Sequence, residues 1–143
     1  MRKAKQIWSV VLCVVAFAIV VAIPVSAETV SEVIYDSKAE GPAISGKQAK
    51  KTTTGSMIYT ADSYGSDGWS SDGDEWVYFR GRSSSGLTQV TESQRLNYTG
   101  YIRYGSLPYL SGYGVMGDYY RIAIQYDSSN PHQYVNLYVT WTP

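Results

Sequence analysis

Two segments near the C-terminal end of the chain alternate strictly between apolar and polar residues. A period of two is typical of a β-strand with one buried and one solvated face. Residues 127–132 between the segments are rich in Asp, Ser, Asn and Pro, so the sequence predicts a hairpin loop there. The apolar faces would carry Tyr120, Ile122, Ile124 and Tyr126 in residues 119–126, and Val135, Leu137, Val139 and Trp141 in residues 134–141.

Earlier strand-like runs are separated by Gly, Ser, Asp and Asn, as in an antiparallel all-β domain. No helical periodicity competes with this pattern after residue 55. The expected fold is a small antiparallel β-sandwich or flattened barrel of about six or seven strands over residues 56–143. The earlier strands are predicted at residues 57–61, 75–82, 87–91 and 98–104, with a further short strand at 107–113.

The first 27 residues have the organisation of an export signal. Three basic residues at positions 2, 3 and 5 precede an uncharged, mostly apolar run over residues 7–25, and small residues end the segment at Ala27. An uncleaved membrane anchor is the alternative, because about 20 apolar residues span a bilayer. Pro24 favours cleavage, since it breaks a helix just before the small residues. We expect secretion from a Gram-positive bacterium, with membrane contact only through this segment unless it stays uncleaved.

Cysteine content and charge exclude several function classes. The single cysteine, Cys13, lies inside the apolar run, so a cleaved chain has no disulfide, thiol nucleophile or zinc–thiolate site. Nine basic and twelve acidic residues follow residue 27, a net charge of −3. Nucleic-acid binding needs a concentrated basic face, so we expect no nucleic-acid partner.

Residues 28–55 differ in composition from the rest of the exported chain. They contain one aromatic residue, Tyr35, and many Lys, Glu, Ser, Thr and Ala. Because the run over residues 47–55 has no apolar face to bury, this zone is predicted to be a flexible polar arm, with a short helical turn near residues 30–34. A propeptide is the alternative, with Lys50-Lys51 as a trypsin-like processing site.

Every aromatic residue after the export signal, other than Tyr35, lies in residues 56–143. So small a core cannot bury them all, and a Tyr ring can stack on a flat partner while its hydroxyl stays hydrated. The alternative is structural, because Tyr has high β propensity and cross-strand Tyr pairs stabilise a sheet without any ligand. The predicted ligand-binding residues are Trp69, Tyr101, Tyr119, Arg121, Gln125, Tyr134, Asn136 and Tyr138.

Residues 62–75 form an acidic segment that is rich in Gly and Ser. Calcium prefers several oxygen ligands on a compliant loop, so this segment is a candidate calcium site, although its spacing does not match an EF-hand. A solvated acidic turn is the alternative. The candidate metal ligands are Asp67, Asp72, Asp74 and Glu75.

The chain offers little for catalysis. The single histidine, His132, lies in the predicted hairpin loop near Asp127 and Ser129, and a triad needs a better-separated set of groups than one short turn provides. A glycosidase needs two carboxylates across a cleft, and a domain of this size has little volume for one. We therefore expect a non-enzymatic protein. The carboxylates that a glycosidase could recruit are Asp74, Glu75, Glu92 and Asp118.

Three short sequences carry a resemblance to known secreted proteins. They are Tyr101-Ile102-Arg103-Tyr104, Tyr119-Tyr120-Arg121-Ile122 and Val139-Thr140-Trp141. Together with the order of parts, they resemble small secreted proteins of unknown function from Gram-positive bacteria, which join a signal peptide and a polar arm to a cysteine-free, Tyr-rich β domain. The resemblance covers about residues 56–143 and implies no catalytic residue. Some exported bacteriocins have a similar composition.

These observations together predict a secreted, non-catalytic β-sandwich protein that binds an extracellular glycan or protein through a Tyr/Trp face. Cell-wall or environmental polysaccharide is the favoured ligand, and no cofactor is expected apart from the candidate calcium ion. Two alternatives remain: a bacteriocin-like antagonist of neighbouring cells, and an inhibitor of a hydrolase that would act through residues 64–74.

Overall fold

The computed structural model describes residues 27–37, 41–65, 75–97, 103–130 and 134–143. Within these ranges every helix or strand assigned is a β-strand. No helix in this part of the chain is long and apolar enough to cross a membrane. The predicted export signal lies outside the described residues, apart from Ala27. The nine strands are β1 (Val30–Ser37), β2 (Ala43–Ile44), β3 (Ala49–Lys50), β4 (Met57–Ser63), β5 (Trp76–Ser83), β6 (Gln89–Asn97), β7 (Arg103–Leu107), β8 (Tyr119–Tyr126) and β9 (Tyr134–Thr142).

The strands form two antiparallel sheets that enclose one core. Sheet A has the strand order β1-β9-β4-β7. Sheet B has the order β2-β8-β5-β6, and β3 also pairs with β8. The predicted all-β, sandwich-like fold is confirmed, with more strands than the pattern alone indicated because the segment before residue 56 contributes three of them.

The core lies between the inward faces of the two sheets, and β8 and β9 supply much of it. Their alternation is as predicted: Ile122, Ile124, Leu137 and Val139 are fully buried. Full burial of such a side chain stabilises a fold by about 1.5–3 kcal/mol. The neighbouring positions in β9 point away from the core and are exposed or half-buried.

One aromatic contact joins the two sheets across the core. Tyr59 of β4 stacks on Phe79 of β5, with the ring centroids 4.5 Å apart. The Tyr59 hydroxyl donates a hydrogen bond to Gln94 Oε1 at 3.0 Å. Gly105 of β7 makes room for this pair, because a Cβ there would lie 2.6 Å from the Tyr59 ring and 2.2 Å from Gln94 Oε1. Burial raises the pKa of Tyr59, so its hydroxyl stays a proton donor.

The hairpin predicted at residues 127–132 is wrong. β8 belongs to sheet B and β9 to sheet A, so this segment crosses from one sheet to the other. The Asn130 side chain holds the described part of the crossing against β5: it accepts from Trp76 N and donates to Trp76 O, both at 2.7 Å. Two strands with one apolar face each can bury those faces against one another, which edge-to-edge pairing does not achieve. Turn-forming residues occur both in hairpins and in crossings between sheets, so the composition of residues 127–132 does not distinguish the two.

The flexible arm and helical turn predicted for residues 28–55 do not match the structure. β1 pairs with β9 along its whole length, from Val30 opposite Trp141 to Ser37 opposite Tyr134. The alternation of β1 is not apparent in the sequence, because carboxylate side chains occupy two of its inward positions. Asp36 is buried and accepts a hydrogen bond from the Tyr126 backbone, which offsets part of the cost of removing its carboxyl group from water.

β2 and β3 form an interrupted edge strand along β8. Ala43 lies opposite Ile124, and Ala49 lies opposite Tyr120. Lys51, at the predicted processing site, is only 2 % exposed. Its Nζ donates to Gly55 O at 2.9 Å and lies 4.4 Å from the centroid of the Tyr109 ring. Residues 43–51 are therefore part of the β fold rather than a solvated linker.

The remaining strand predictions agree with the structure except near β7. β4, β5 and β6 overlap the runs predicted at 57–61, 75–82 and 87–91. β7 begins at Arg103, and residues 98–102 lie outside the described residues. The strand predicted at 107–113 is wrong beyond Leu107, the last residue of β7: the segment makes one isolated bridge, between Thr91 and Tyr109, and Gly112 turns the chain with a φ of 85°.

Candidate functional site

The outward face of sheet A displays four tyrosines, which define what we call the tyrosine face. Tyr35 comes from β1, Tyr104 from β7, and Tyr134 and Tyr138 from β9. Between 45 % and 81 % of each side chain is exposed. They share a face because each alternates with inward residues of the core and the paired strands keep these positions in register.

The side chains between these tyrosines are mostly neutral hydrogen-bonding groups. Ser31 and Thr140 bond through their hydroxyls at 2.7 Å, and Thr29 and Thr142 do so at 2.8 Å. Asp62, beside Tyr138 in the pairing of β4 with β9, is the one charged side chain that the described outward positions of sheet A supply. The tyrosine face is therefore aromatic, hydroxyl-rich and nearly uncharged.

A shallow depression of about 650 Å³ lies at the β7 end of this face. It follows the register of β7, β4 and β9, which places Ser106 opposite Ile58 and Ile58 opposite Thr142. Ile58 is more than half exposed, so the depression has an apolar floor within a hydroxyl-bearing rim. Its outward-facing lining residues are Ile58, Thr60, Tyr104, Ser106, Thr140 and Thr142.

The outward face of sheet B has a different chemistry, and its four arginines define what we call the arginine face. Arg80 and Arg82 come from β5, Arg95 from β6 and Arg121 from β8. The guanidinium carbon of Arg95 lies 4.3 Å from the ring centroid of Trp76. Stacking on an indole is a favourable position for a guanidinium group, so Trp76 helps to hold Arg95 in place.

Arg121 anchors the interrupted edge strand to the arginine face. Its Nε donates to Ser84 O at 2.7 Å, and its Nη1 donates to Ser45 O at 2.7 Å and to Gly46 O. Gln125, four residues along β8, accepts from Arg80 Nη1 at 2.6 Å. Both side chains therefore have structural partners within the fold.

The predicted ligand-binding residues are divided between the two faces. Tyr134, Asn136 and Tyr138 lie outward on sheet A, whereas Tyr119, Arg121 and Gln125 lie outward on sheet B. The two faces point in opposite directions, so these residues do not form one surface. Trp69 and Tyr101 lie outside the described residues.

The candidate calcium ligands fall mostly outside the part of the chain that the structure describes. This applies to Asp67, Asp72 and Asp74. Glu75 is described: its side chain is 1 % exposed, and it accepts a hydrogen bond from the Tyr126 hydroxyl. The described residues contain no group of three or more His, Cys, Asp or Glu side chains that could hold a metal ion. Calcium binding stays a prediction.

Asp127, considered with His132 and Ser129 as a possible catalytic group, is held by neighbouring donors. It accepts from Ser129 N and Oγ at 2.9 Å and 2.8 Å, and it forms an ion pair with Arg95 at 2.8 Å. These contacts lower its pKa, and the hydrogen bond from the Ser129 backbone has the largest effect. His132 lies outside the described residues.

The predicted ligand-binding residues do not include Tyr35 and Tyr104 of the tyrosine face, nor Arg80, Arg82 and Arg95 of the arginine face. Tyr35 falls in the segment whose composition predicts a flexible arm, although residues 30–35 alternate between outward and inward positions in the structure. Arg80, Arg82 and Arg95 alternate with apolar or uncharged residues in β5 and β6, and this signal pointed to an outward face.

Comparison of the chain with protein-family models, curated proteins and solved structures finds no match. The fold and the surface chemistry therefore define the class: an antiparallel all-β sandwich with one aromatic, nearly neutral face and one cationic face.

Proposed function

We propose that this chain is a secreted, non-catalytic bacterial protein that binds an extracellular polysaccharide through the tyrosine face. The observation that carries the proposal is the set of four exposed tyrosine rings on one nearly uncharged face of sheet A. Large exposed apolar surfaces on soluble domains commonly mark sites of interaction. An open sheet face suits an extended polymer better than a small molecule, which binds in an enclosed pocket.

The chemistry of the face matches that of a neutral sugar polymer. A sugar ring offers an apolar C–H surface to an aromatic plate and a rim of hydroxyls to polar neighbours, and Tyr, Thr, Ser and Asn supply both kinds of contact. Asn136 lies between Tyr134 and Tyr138 on β9 and opposite Tyr35 on β1. With Asp62 as its charged residue, the face suits cellulose, chitin or the glycan strands of peptidoglycan better than an acidic polymer.

The position of β1 fits the predicted export route. Cleavage after Ala27 would leave β1, which begins at Val30, intact. Cleavage at Lys50-Lys51 would remove β1, and with it Tyr35 of the tyrosine face, and would expose the edge of β9. The proposal therefore keeps residues 28–55 in the working protein.

The test is co-sedimentation with insoluble cellulose, chitin and peptidoglycan, using a purified chain that starts at Glu28 and retains all nine strands. The expected result is saturable pelleting with at least one polymer. Tyr138→Ala should raise Kd roughly two- to tenfold, because loss of an aromatic stacking contact costs about 0.5–1.5 kcal/mol. Parallel runs with calcium and with chelator test the candidate ligands at residues 67–75.

A matched control comes from the opposite sheet. Tyr119 is 42 % exposed, close to the 45 % of Tyr138, but it lies on sheet B. Tyr119→Ala should leave pelleting unchanged. Failure to pellet with all three polymers, or an equal loss in both variants, would refute binding through the tyrosine face.

A further inference from the structure

The arginine face carries positive charge that the described residues do not neutralise. Arg95 pairs with Asp127, but the described partners of Arg80, Arg82 and Arg121 are neutral oxygens. Arg80 donates to the Ser93 hydroxyl and to the Gln125 amide, and Arg82 donates to a backbone carbonyl. Hydrogen bonds to neutral acceptors orient a guanidinium group without cancelling its charge.

The spacing of these charges follows from the strand geometry. Arg80 and Arg82 are two residues apart on one face of β5, so their Cα atoms lie roughly 7 Å apart. Arg82 also lies directly opposite Arg121 on β8. Like charges in such positions destabilise a sheet. The row of guanidinium groups therefore costs stability unless a group other than the described residues compensates its charge.

Arg82 shows the electrostatic consequence of this arrangement. Burial lowers its pKa, and the charge of Arg80 lowers it further. Its Nε is buried and has no hydrogen-bond partner among the described residues. An anion placed across Arg80 and Arg82 would relieve the repulsion between them, and a guanidinium group can bind such an anion through two parallel hydrogen bonds.

We propose that the arginine face binds a linear acidic polysaccharide, with Arg80 and Arg82 donating to its carboxylate groups. A row of cations along one strand suits a polymer with repeated charges. The polar side chains of Gln89, Ser93 and Gln125 border the row and can meet sugar hydroxyls. The site lies on the opposite sheet from the tyrosine face and does not depend on the function proposed there.

The same face is poorly suited to single-stranded nucleic acid. Such binding uses free aromatic plates on which successive bases stack. Here Arg95 lies over Trp76 at 4.3 Å and near Tyr78 at 5.7 Å, so these two rings are already covered by a guanidinium group. Tyr119 is the one exposed ring that the described outward positions of sheet B supply, and a single ring does not make a series of stacking plates.

The test measures binding of polygalacturonate to the chain starting at Glu28, by isothermal titration at low and high salt. Arg80→Gln should raise Kd about tenfold or more, as expected for a lost charge-assisted hydrogen bond. The Kd of Arg80→Lys should fall between that of Arg80→Gln and that of the native protein, because lysine keeps the charge but not the planar guanidinium group. Binding by the native protein should weaken as salt rises.

Lys47→Gln is the charge-matched control, since it also removes one positive charge but at an exposed position that contacts β1. It should leave Kd nearly unchanged. An equal loss in Lys47→Gln and Arg80→Gln would overturn the site. Absence of binding at low salt, or equally tight binding of a single-stranded oligonucleotide, would overturn the ligand class. If Arg80→Gln lowers the melting temperature, the Kd values of Arg80→Lys and Arg82→Gln for polygalacturonate test the site instead. Native Kd values in both variants would overturn it.

Discussion

Leu137 and Tyr138 are neighbours in β9 that should respond very differently to truncation. Leu137 is fully buried in the core, whereas Tyr138 is 45 % exposed on the tyrosine face. Leu137→Ala removes core atoms and leaves a cavity, which costs about 3–5 kcal/mol. Tyr138→Ala loses partial contacts with the opposing Val33 and Asp62, worth about 1 kcal/mol or less.

These free energies convert into a large difference in thermal stability. In a domain of this size, 1 kcal/mol shifts the melting temperature by roughly 4 °C, so Leu137→Ala should lower it by about 10–20 °C and Tyr138→Ala by no more than about 4 °C. Thermal unfolding followed by tryptophan fluorescence and by circular dichroism measures the melting temperatures of both variants, and urea unfolding measures their free energies of unfolding. Trp141, in the same strand, is buried and reports on the packing around β9.

The comparison can refute the register of β9. A slip of one residue would exchange the buried and exposed faces of the whole strand. Equal destabilisation in the two variants, or a larger effect of Tyr138→Ala, would show that Tyr138 belongs to the core and that the tyrosine face does not exist as described.

Two further predictions concern packing and pH. Gly105→Ala should lower the free energy of unfolding by about 1–3 kcal/mol, because the new Cβ would lie 2.2 Å from Gln94 Oε1. Gly41→Ala is the control, since a Cβ at that position has nothing within 4 Å. Equal effects of the two substitutions in urea titrations would contradict the packing argument. Asp127→Asn should destabilise the protein at neutral pH. Because the pKa of Asp127 is lowered in the fold, chiefly by the Ser129 backbone, its contribution is present above about pH 4 and is lost as the pH falls through the lower folded value. Unfolding at pH 7 and pH 3 measures this, and a difference from the native protein that is as large at pH 3 as at pH 7 would contradict it.

The interior faces of β8 and β9 were predictable because alternation is a local property. Each of Val135, Leu137 and Val139 has polar neighbours on both sides, so the period of two identified the buried face without any knowledge of the partner strand. The same reasoning failed for β1, because Glu32 and Asp36 occupy inward positions there. Their carboxylates accept backbone hydrogen bonds from distant residues, which no local pattern reveals.

The candidate site could be predicted only in part, for a related reason. Alternation showed that Tyr134 and Tyr138 face away from the core, as do Tyr119 and Arg121. It could not show whether β8 and β9 lie in the same sheet. Since they do not, one predicted surface became two, with different charge and different ligands proposed for each.

The amino-acid sequence by itself determined the all-β class and the inward and outward sides of the clearest strands, because these depend on side-chain period and turn chemistry over a few residues. Only the tertiary structure decided which strands pair, that β1 completes sheet A, and that Arg80, Arg82 and Arg121 meet on sheet B. Those outcomes depend on contacts between residues far apart in the chain, where burial of two apolar faces against each other outweighs the local preferences of the connecting segments.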